Sequence, residues 1–176
     1  MIIMPYVLVD GTWSIPVDVM GQIYVRMVEE NKAGSLFYNG GISSPYDFID
    51  FMQDKNNYPV VIFDGTMDVG MLAWLNPMND GNAQAHFCTF KGHNPLKMGK
   101  ALLEWWGNYE DSNGVLFKTI VGITPETYYM ALKYIDKLGF TQIGILPNFC
   151  YLKKEDTRVG GVVSYYIPGG NHGRQE

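Results

Sequence analysis

A chain of 176 residues, 47% hydrophobic and 18% charged, is long enough to bury one real core and too apolar for a disordered or polyelectrolyte chain. Its net charge of -5 argues against a general nucleic-acid binder, which needs a basic face. Cys88 and Cys150 make neither a disulfide framework nor a ligand-spaced cluster, no apolar run approaches a membrane span, and the N-terminus lacks the basic start of a leader. A cytoplasmic protein with no metal and no membrane partner is expected.

Ile2 to Val9 reads as a first strand, closed by the turn dipeptide Asp10-Gly11. From Pro16 to Glu30, apolar residues from Val17 through Met20, Ile23, Tyr24 and Met27 to Val28 recur at helical steps, so this is an amphipathic helix. Asn31 to Gly41 reads as a loop. Ser44-Pro45 then opens a short second helix, because a capping side chain followed by proline satisfies the first turn without wasting a donor. Tyr58–Phe63 and Met67–Leu75 read as strands joined through Asp64-Gly65, Asn76 to Asn82 is turn chemistry throughout, and Ala83–Phe90 completes an antiparallel run.

The rest reads helix, strand, helix: Lys91–Tyr109, Val115–Ile123 and Thr124–Phe140. Both helices carry the capper-proline signature, at Asn94-Pro95 and Thr124-Pro125. Two strand-to-helix units in succession predict a parallel strand pair with a right-handed crossover and a ligand site beyond the carboxyl ends of the strands. The expected fold class is α+β, a mixed sheet in a single domain over 1–168, with a flexible polar tail over 169–176 that includes His172.

Between Asp80 and Glu104 there is no acidic residue, yet the interval holds His86, Lys91, His93, Lys97 and Lys100. Lysines beside a helix N-terminus suit a phosphate group, and equally suit plain solvation. His93 at the loop is read either as a phosphate partner or as solvated. His86 is the best single base candidate because imidazole titrates near neutrality, although a lone strand histidine also reads as a structural residue. The two cysteines read as small buried hydrophobes.

LKMGKALLEWW resembles the cofactor-loop helix of the GNAT acyl-CoA N-acyltransferases. ITPETYYMALKYIDKLGF resembles the strand–helix unit that follows it, and ILPNFCYLKKEDTRVGGVVSYYI the closing hairpin of the ribosomal-protein and antibiotic acetyltransferase branches. The likeness covers about half the chain, in the correct order. It implies a mostly antiparallel sheet with one parallel pair flanked by helices. It also implies transfer of an acetyl or other acyl group from acetyl-CoA to an amine acceptor: a small amine, a peptide N-terminus or a lysine.

By the same resemblance, main-chain groups near Cys88, Thr89 and Phe90 would hold the pantetheine arm. The pyrophosphate would lie on the first turn formed by Asn94, Leu96, Lys97, Met98, Gly99 and Lys100, with Thr124 at the next helix start. Gly99 would let the phosphates approach the backbone. The pattern departs from the family at Asn94 (usually Arg or Gln), at Lys97 (usually Gly) and at Ile135, which stands where the family has tyrosine. Tyr134, one residue early, and Tyr128 are the remaining acid candidates.

The resemblance also implies that the loop between the first two helices and the hairpin around Pro147–Tyr151 set the acceptor. A homodimer through the C-terminal strands is expected, with Tyr165-Tyr166-Ile167 as the edge. Three readings compete: an N-acyltransferase, which is preferred; a GNAT-like structural or binding module without catalysis, akin to phage-encoded GNAT-like proteins; and a phosphate-ligand binder of another βαβα fold.

Overall fold

Capping chemistry explains where the helices begin, and strand pairing explains the rest. The computed structural model describes residues 1–79, 81–111 and 114–169, so the expected tail beyond Gly169 lies outside the described residues. The chain opens with β1 (Ile2–Pro5), the two-residue strands β2 (Leu8–Val9) and β3 (Thr12–Trp13), and three helices, α1 (Val17–Glu29), α2 (Ala33–Leu36) and α3 (Pro45–Gln53). It continues through β4 (Tyr58–Phe63), β5 (Val69–Asn79), β6 (Asn82–Thr89), α4 (Pro95–Gly107) and the short β7 (Glu110–Asp111) and β8 (Gly114–Val115). It closes with β9 (Thr119–Pro125), α5 (Tyr129–Lys137), β10 (Thr141–Leu152) and β11 (Thr157–Tyr166).

Seven strands form one sheet in the order β1-β4-β5-β6-β9-β11-β10, antiparallel except where β6 meets β9. Its two faces carry separate cores. Helices α1 to α3 cover one with Met20, Ile23, Met27 and Phe48 against Trp74 and Leu72. Helices α4 and α5 cover the other with Leu102, Trp106 and Ile135 against Ile62, Met71 and Ala73. No helix among the described residues is long and apolar enough to cross a membrane.

Two of the three capper-proline signatures start helices. Ser44 Oγ accepts the Asp47 amide at 3.1 Å, and the Asp47 carboxylate takes the Ser43 hydroxyl at 2.8 Å in return. Asn94 Oδ1 accepts the Lys97 amide at 3.0 Å. The third signature does not. Thr124 and Pro125 continue β9, paired with Val162 and Gly161, and α5 starts only after Tyr128, whose side chain makes no cap. Glu126 N–H bonds the Gly160 carbonyl at 2.9 Å, so by alternation the Pro125 nitrogen faces away from β11, where β9 has lost its other neighbour and needs no donor.

Other expectations are also corrected. The first strand stops at Pro5, and Leu8–Val9 instead forms a hairpin with Thr12–Trp13 across Asp10-Gly11, whose φ values of 49° and 78° are those of a two-residue primed turn. The Asn31–Gly41 loop contains α2. The turn-rich run from Asn76 continues β5 to Asn79, because Asn76 and Pro77 pair with Gln84 and Ala83. Asp64-Gly65 is no two-residue hairpin: Asp64 Oδ1 accepts the Thr66 amide at 2.8 Å and the Asp68 amide at 3.1 Å, and the left-handed residue is Met67. The edge is β10; β11, with Tyr165 and Tyr166, lies inside the sheet.

Candidate functional site

Strands β6 and β9 run parallel for only three register positions, Asn82 with Thr119, Ala83 with Ile120 and Gln84 with Val121. Beyond Gln84 they part while each stays bonded to its outer neighbour, β6 to β5 and β9 to β11. Parting leaves peptide groups aimed into the gap. Phe90 N–H donates to the Gly70 carbonyl at 2.9 Å, so alternate residues of β6 turn to β5, and Ala85, Phe87 and Thr89 turn theirs to the cleft.

A cavity of about 650 Å³ fills the gap and is lined from both faces of the sheet. Asn31, Lys32, Ser35, Leu36 and Tyr38 reach it from the segment between α1 and α3, where the acceptor loop was expected. Pro95 and Leu96 reach it from α4, and Ala131, Lys133, Tyr134 and Lys137 from α5. Strands supply His86, Cys88 and Thr89 on one wall and Ile123, Thr124 and Pro125 on the other.

His86 lies flat on the Trp74 indole, ring centroids 4.6 Å apart and planes 12° from parallel, and Phe37 stacks on the same indole at 5.6 Å. Desolvation by burial pushes the imidazole down to about 4, which corrects the expectation of titration near neutrality: the ring is neutral at physiological pH, free to accept a proton, and a weaker base than a free imidazole. Cys88 lies beside it, buried, its thiol pushed up to about 12 by burial. That thiol is inert at neutral pH.

The tyrosines differ in what their hydroxyls do. Tyr134 Oη donates to the Pro95 carbonyl at 3.1 Å, tying α5 to the first turn of α4. Tyr128 packs edge-on against Tyr38 at 6.4 Å, and Tyr38 Oη accepts the Cys150 thiol proton at 3.6 Å. Burial raises all three phenols, so each stays protonated. Ile135 is buried in the core and also lines the cavity.

The first turn of α4 is more occupied than the sequence suggested. Lys97 N–H is held by the Asn94 side chain and Met98 N–H by the Asn94 carbonyl, while the amides of Gly99 and Lys100 lie inside the helix. Pro95 has no N–H, and Leu96, which lines the cavity, carries the remaining amide at the start of that turn. Met98 is buried, whereas Lys97 and Lys100 point to solvent. Glycine at 99 has a packing reason beside the expected one: a Cβ there would lie 2.3 Å from Tyr134 Oη and 2.8 Å from Leu138 Cδ2. Close packing of α4 on α5 favours it.

His93 is held among carboxylates. Its Nε2 lies 3.0 Å from Asp68 and its Nδ1 3.8 Å from Asp64. Arg26 joins the same group, 2.8 Å from Asp68 and 3.0 Å from Glu30. Glu30 also takes the Lys91 amide at 2.9 Å.

Residue-level reading of the sequence missed Lys32, Tyr38, Lys133 and Lys137. The first two sit in a loop without periodic pattern. The α5 lysines carry a helix-face signal, but which face meets the cavity depends on the packing of α5.

No family model matches the sequence, and no curated protein matches it. Solved structures match in shape. Spermidine N-acetyltransferase from Vibrio cholerae, in complex with CoA and spermine, superposes with a TM-score of 0.68 at 12% identity, over 94% of this chain and 95% of that one. A single-residue mutant of the same enzyme gives 0.68 at 12%, over 96% and 95%. Ribosomal-protein-S5-alanine acetyltransferase from Vibrio fischeri gives 0.66 at 9%, over 88% and 91%.

Proposed function

We propose that this chain, whose fold is that of the GNAT acetyltransferases, transfers an acyl group from an acyl-CoA such as acetyl-CoA to an amine. The observation that carries the reading is the parting of β6 from β9, which turns the peptide group of Phe87 and the N–H of Thr89 into a cavity, the Thr89 carbonyl being taken by Lys32. An amide-bearing arm such as pantetheine fits there as an added strand, by the same bonds a β-strand would make. Bound acyl-CoA supplies the thioester whose carbonyl carbon the amine attacks.

The chain's own residues have separable tasks. Neutral His86, held flat by Trp74, accepts a hydrogen bond from the amine and takes up its proton. Tyr38 and Tyr128, held protonated by burial, can donate to the departing sulfur. Tyr134 spends its hydroxyl on Pro95 and serves the wall.

A second reading, a binding module without catalysis, draws on the occupied first turn of α4 and on Ile135 in the core. Calorimetric titration with acetyl-CoA, free CoA in parallel, tests the first. Micromolar binding followed by thiol release with an amine is expected, and His86→Ala should cut turnover with little change in cofactor affinity. Absence of binding at millimolar acetyl-CoA overturns it, and binding without turnover of any amine favours the module.

We further propose a homodimer through β10, an edge strand with Ile143, Ile145 and Phe149 exposed. A monomer by sedimentation at high micromolar concentration removes that proposal.

A further inference from the structure

Charge on the cavity wall is of one sign. Lys32, Lys133 and Lys137 line it, and no aspartate or glutamate does among the described residues. Lys133 and Lys137 belong to α5. Lys32 comes from the opposite side of the sheet, at the end of the α1 segment, and its ammonium is fixed there. It donates to the Glu30 carboxylate at 2.7 Å and to the Thr89 carbonyl. An ammonium has three N–H donors, so one is left for a ligand. Glu30 also bonds Arg26 at 3.0 Å, and Arg26 is met in turn by Asp68 at 2.8 Å, so what Lys32 offers a ligand is its third N–H donor. The wall beside Lys32 is Leu36, Tyr38 and Tyr128, apolar bodies with polar tips.

Resting on the acyltransferase reading, we infer that the acceptor is an amine whose apolar body also carries a carboxylate, in chemistry an apolar α-amino acid. Its carboxylate sits on Lys32 and its side chain against Tyr38 and Tyr128. A polyamine does not fit. Its further ammonium groups would leave water for a wall without carboxylates, and an unpaired buried charge is heavily penalised. The nearest acids do not alter this: Glu30 is taken by Arg26, Lys32 and the Lys91 amide, and Glu155, which acts on Tyr128 through space, lies outside the lining.

The test measures acetyl-CoA-dependent thiol release with L-phenylalanine, L-phenylalaninamide and spermidine, beside a calorimetric titration of acetyl-CoA. The amide carries the less basic amine, so more of it is free at a given pH, and a preference for the acid has to come from binding. We expect kcat/KM for phenylalanine to exceed that for the amide and for spermidine by about tenfold or more, the worth of one charge-assisted bond. Lys32→Met should collapse that ratio and Lys32→Arg should keep it. If Lys32→Met does not fold, the ratio in the unmodified protein and in Lys32→Arg decides. Acetyl-CoA binding with the amide or spermidine used as well as phenylalanine, or with none of the three used, overturns the acceptor assignment and leaves the cofactor reading standing. Absence of acetyl-CoA binding overturns both.

Discussion

Replacing Gly99 with alanine tests whether α4 and α5 are locked where the structure places them. The new methyl would meet Tyr134 Oη at 2.3 Å and Leu138 Cδ2 at 2.8 Å, both closer than real Cβ contacts come. Both atoms end side chains, so the structure yields rather than breaks. The overlap costs about 1–3 kcal/mol by the usual toll of overpacking. Moving Tyr134 also loses its bond to Pro95, worth about 1 kcal/mol net. Alanine returns about 1 kcal/mol through helix propensity. The balance is a destabilisation of about 2 kcal/mol, which for a domain of this size lowers Tm by about 4–8 °C. Urea unfolding of Gly99→Ala, of Tyr134→Phe and of the double variant resolves the cause. Removing the hydroxyl removes the nearest clash, so the two changes should be coupled by about 1 kcal/mol, with Gly99→Ala costing less in the Tyr134→Phe background. Strictly additive costs, or a Gly99→Ala protein as stable as the parent, would show that the helices do not pack as described. Gly99→Glu, which places a longer side chain against the same two residues, is expected to unfold the protein before its effect on cofactor can be read.

Glu30 gives a pH signature. Burial pushes its carboxyl up, but bonds from Lys32, the Lys91 amide and Arg26 outweigh this and hold it at about 2, against 4.5 ordinarily. A depressed folded value means stability that is present above the ordinary value and lost as pH falls toward the folded one. The Tm gap between the parent and Glu30→Gln should therefore be full at neutral pH and shrink between about 4.5 and about 2; a gap independent of pH refutes the pairing. Asn94→Gly should cost only a few tenths of a kcal/mol while freeing the Lys97 amide. If phosphate docks on that turn, acetyl-CoA should then bind more tightly, and unchanged affinity would place the phosphates elsewhere. NMR of the His86 ring should find it neutral until pH falls to about 4; protonation near 6.5 would mean that the ring is solvated.

Much of the fold was legible because its signals are local. The helical steps from Met20 to Met27, the side-chain caps at Ser44 and Asn94, and the order of strands around the parallel pair rest on contacts within a few residues or on chain direction alone. Thr124-Pro125 carries the same signature as Ser44-Pro45, yet it is strand, because pairing with Val162 and Gly161 offers its backbone more than a cap would. Asn76 and Pro77 have turn composition and are strand for the same reason.

The site divides along the same line. That a histidine lies on a central strand could be read from order, and the resemblance is what pointed to the segment between α1 and α3, which lines the cavity. Three things could not: that His86 stacks on a Trp74 that is itself stacked on Phe37, that Tyr134 and Leu138 crowd Gly99, and that Lys32 ends on the Thr89 carbonyl. Each is a contact between residues distant in the chain, made only once the sheet has formed and its two middle strands have parted. A linear pattern records which side chains an element can offer. Which of them meet is decided by packing.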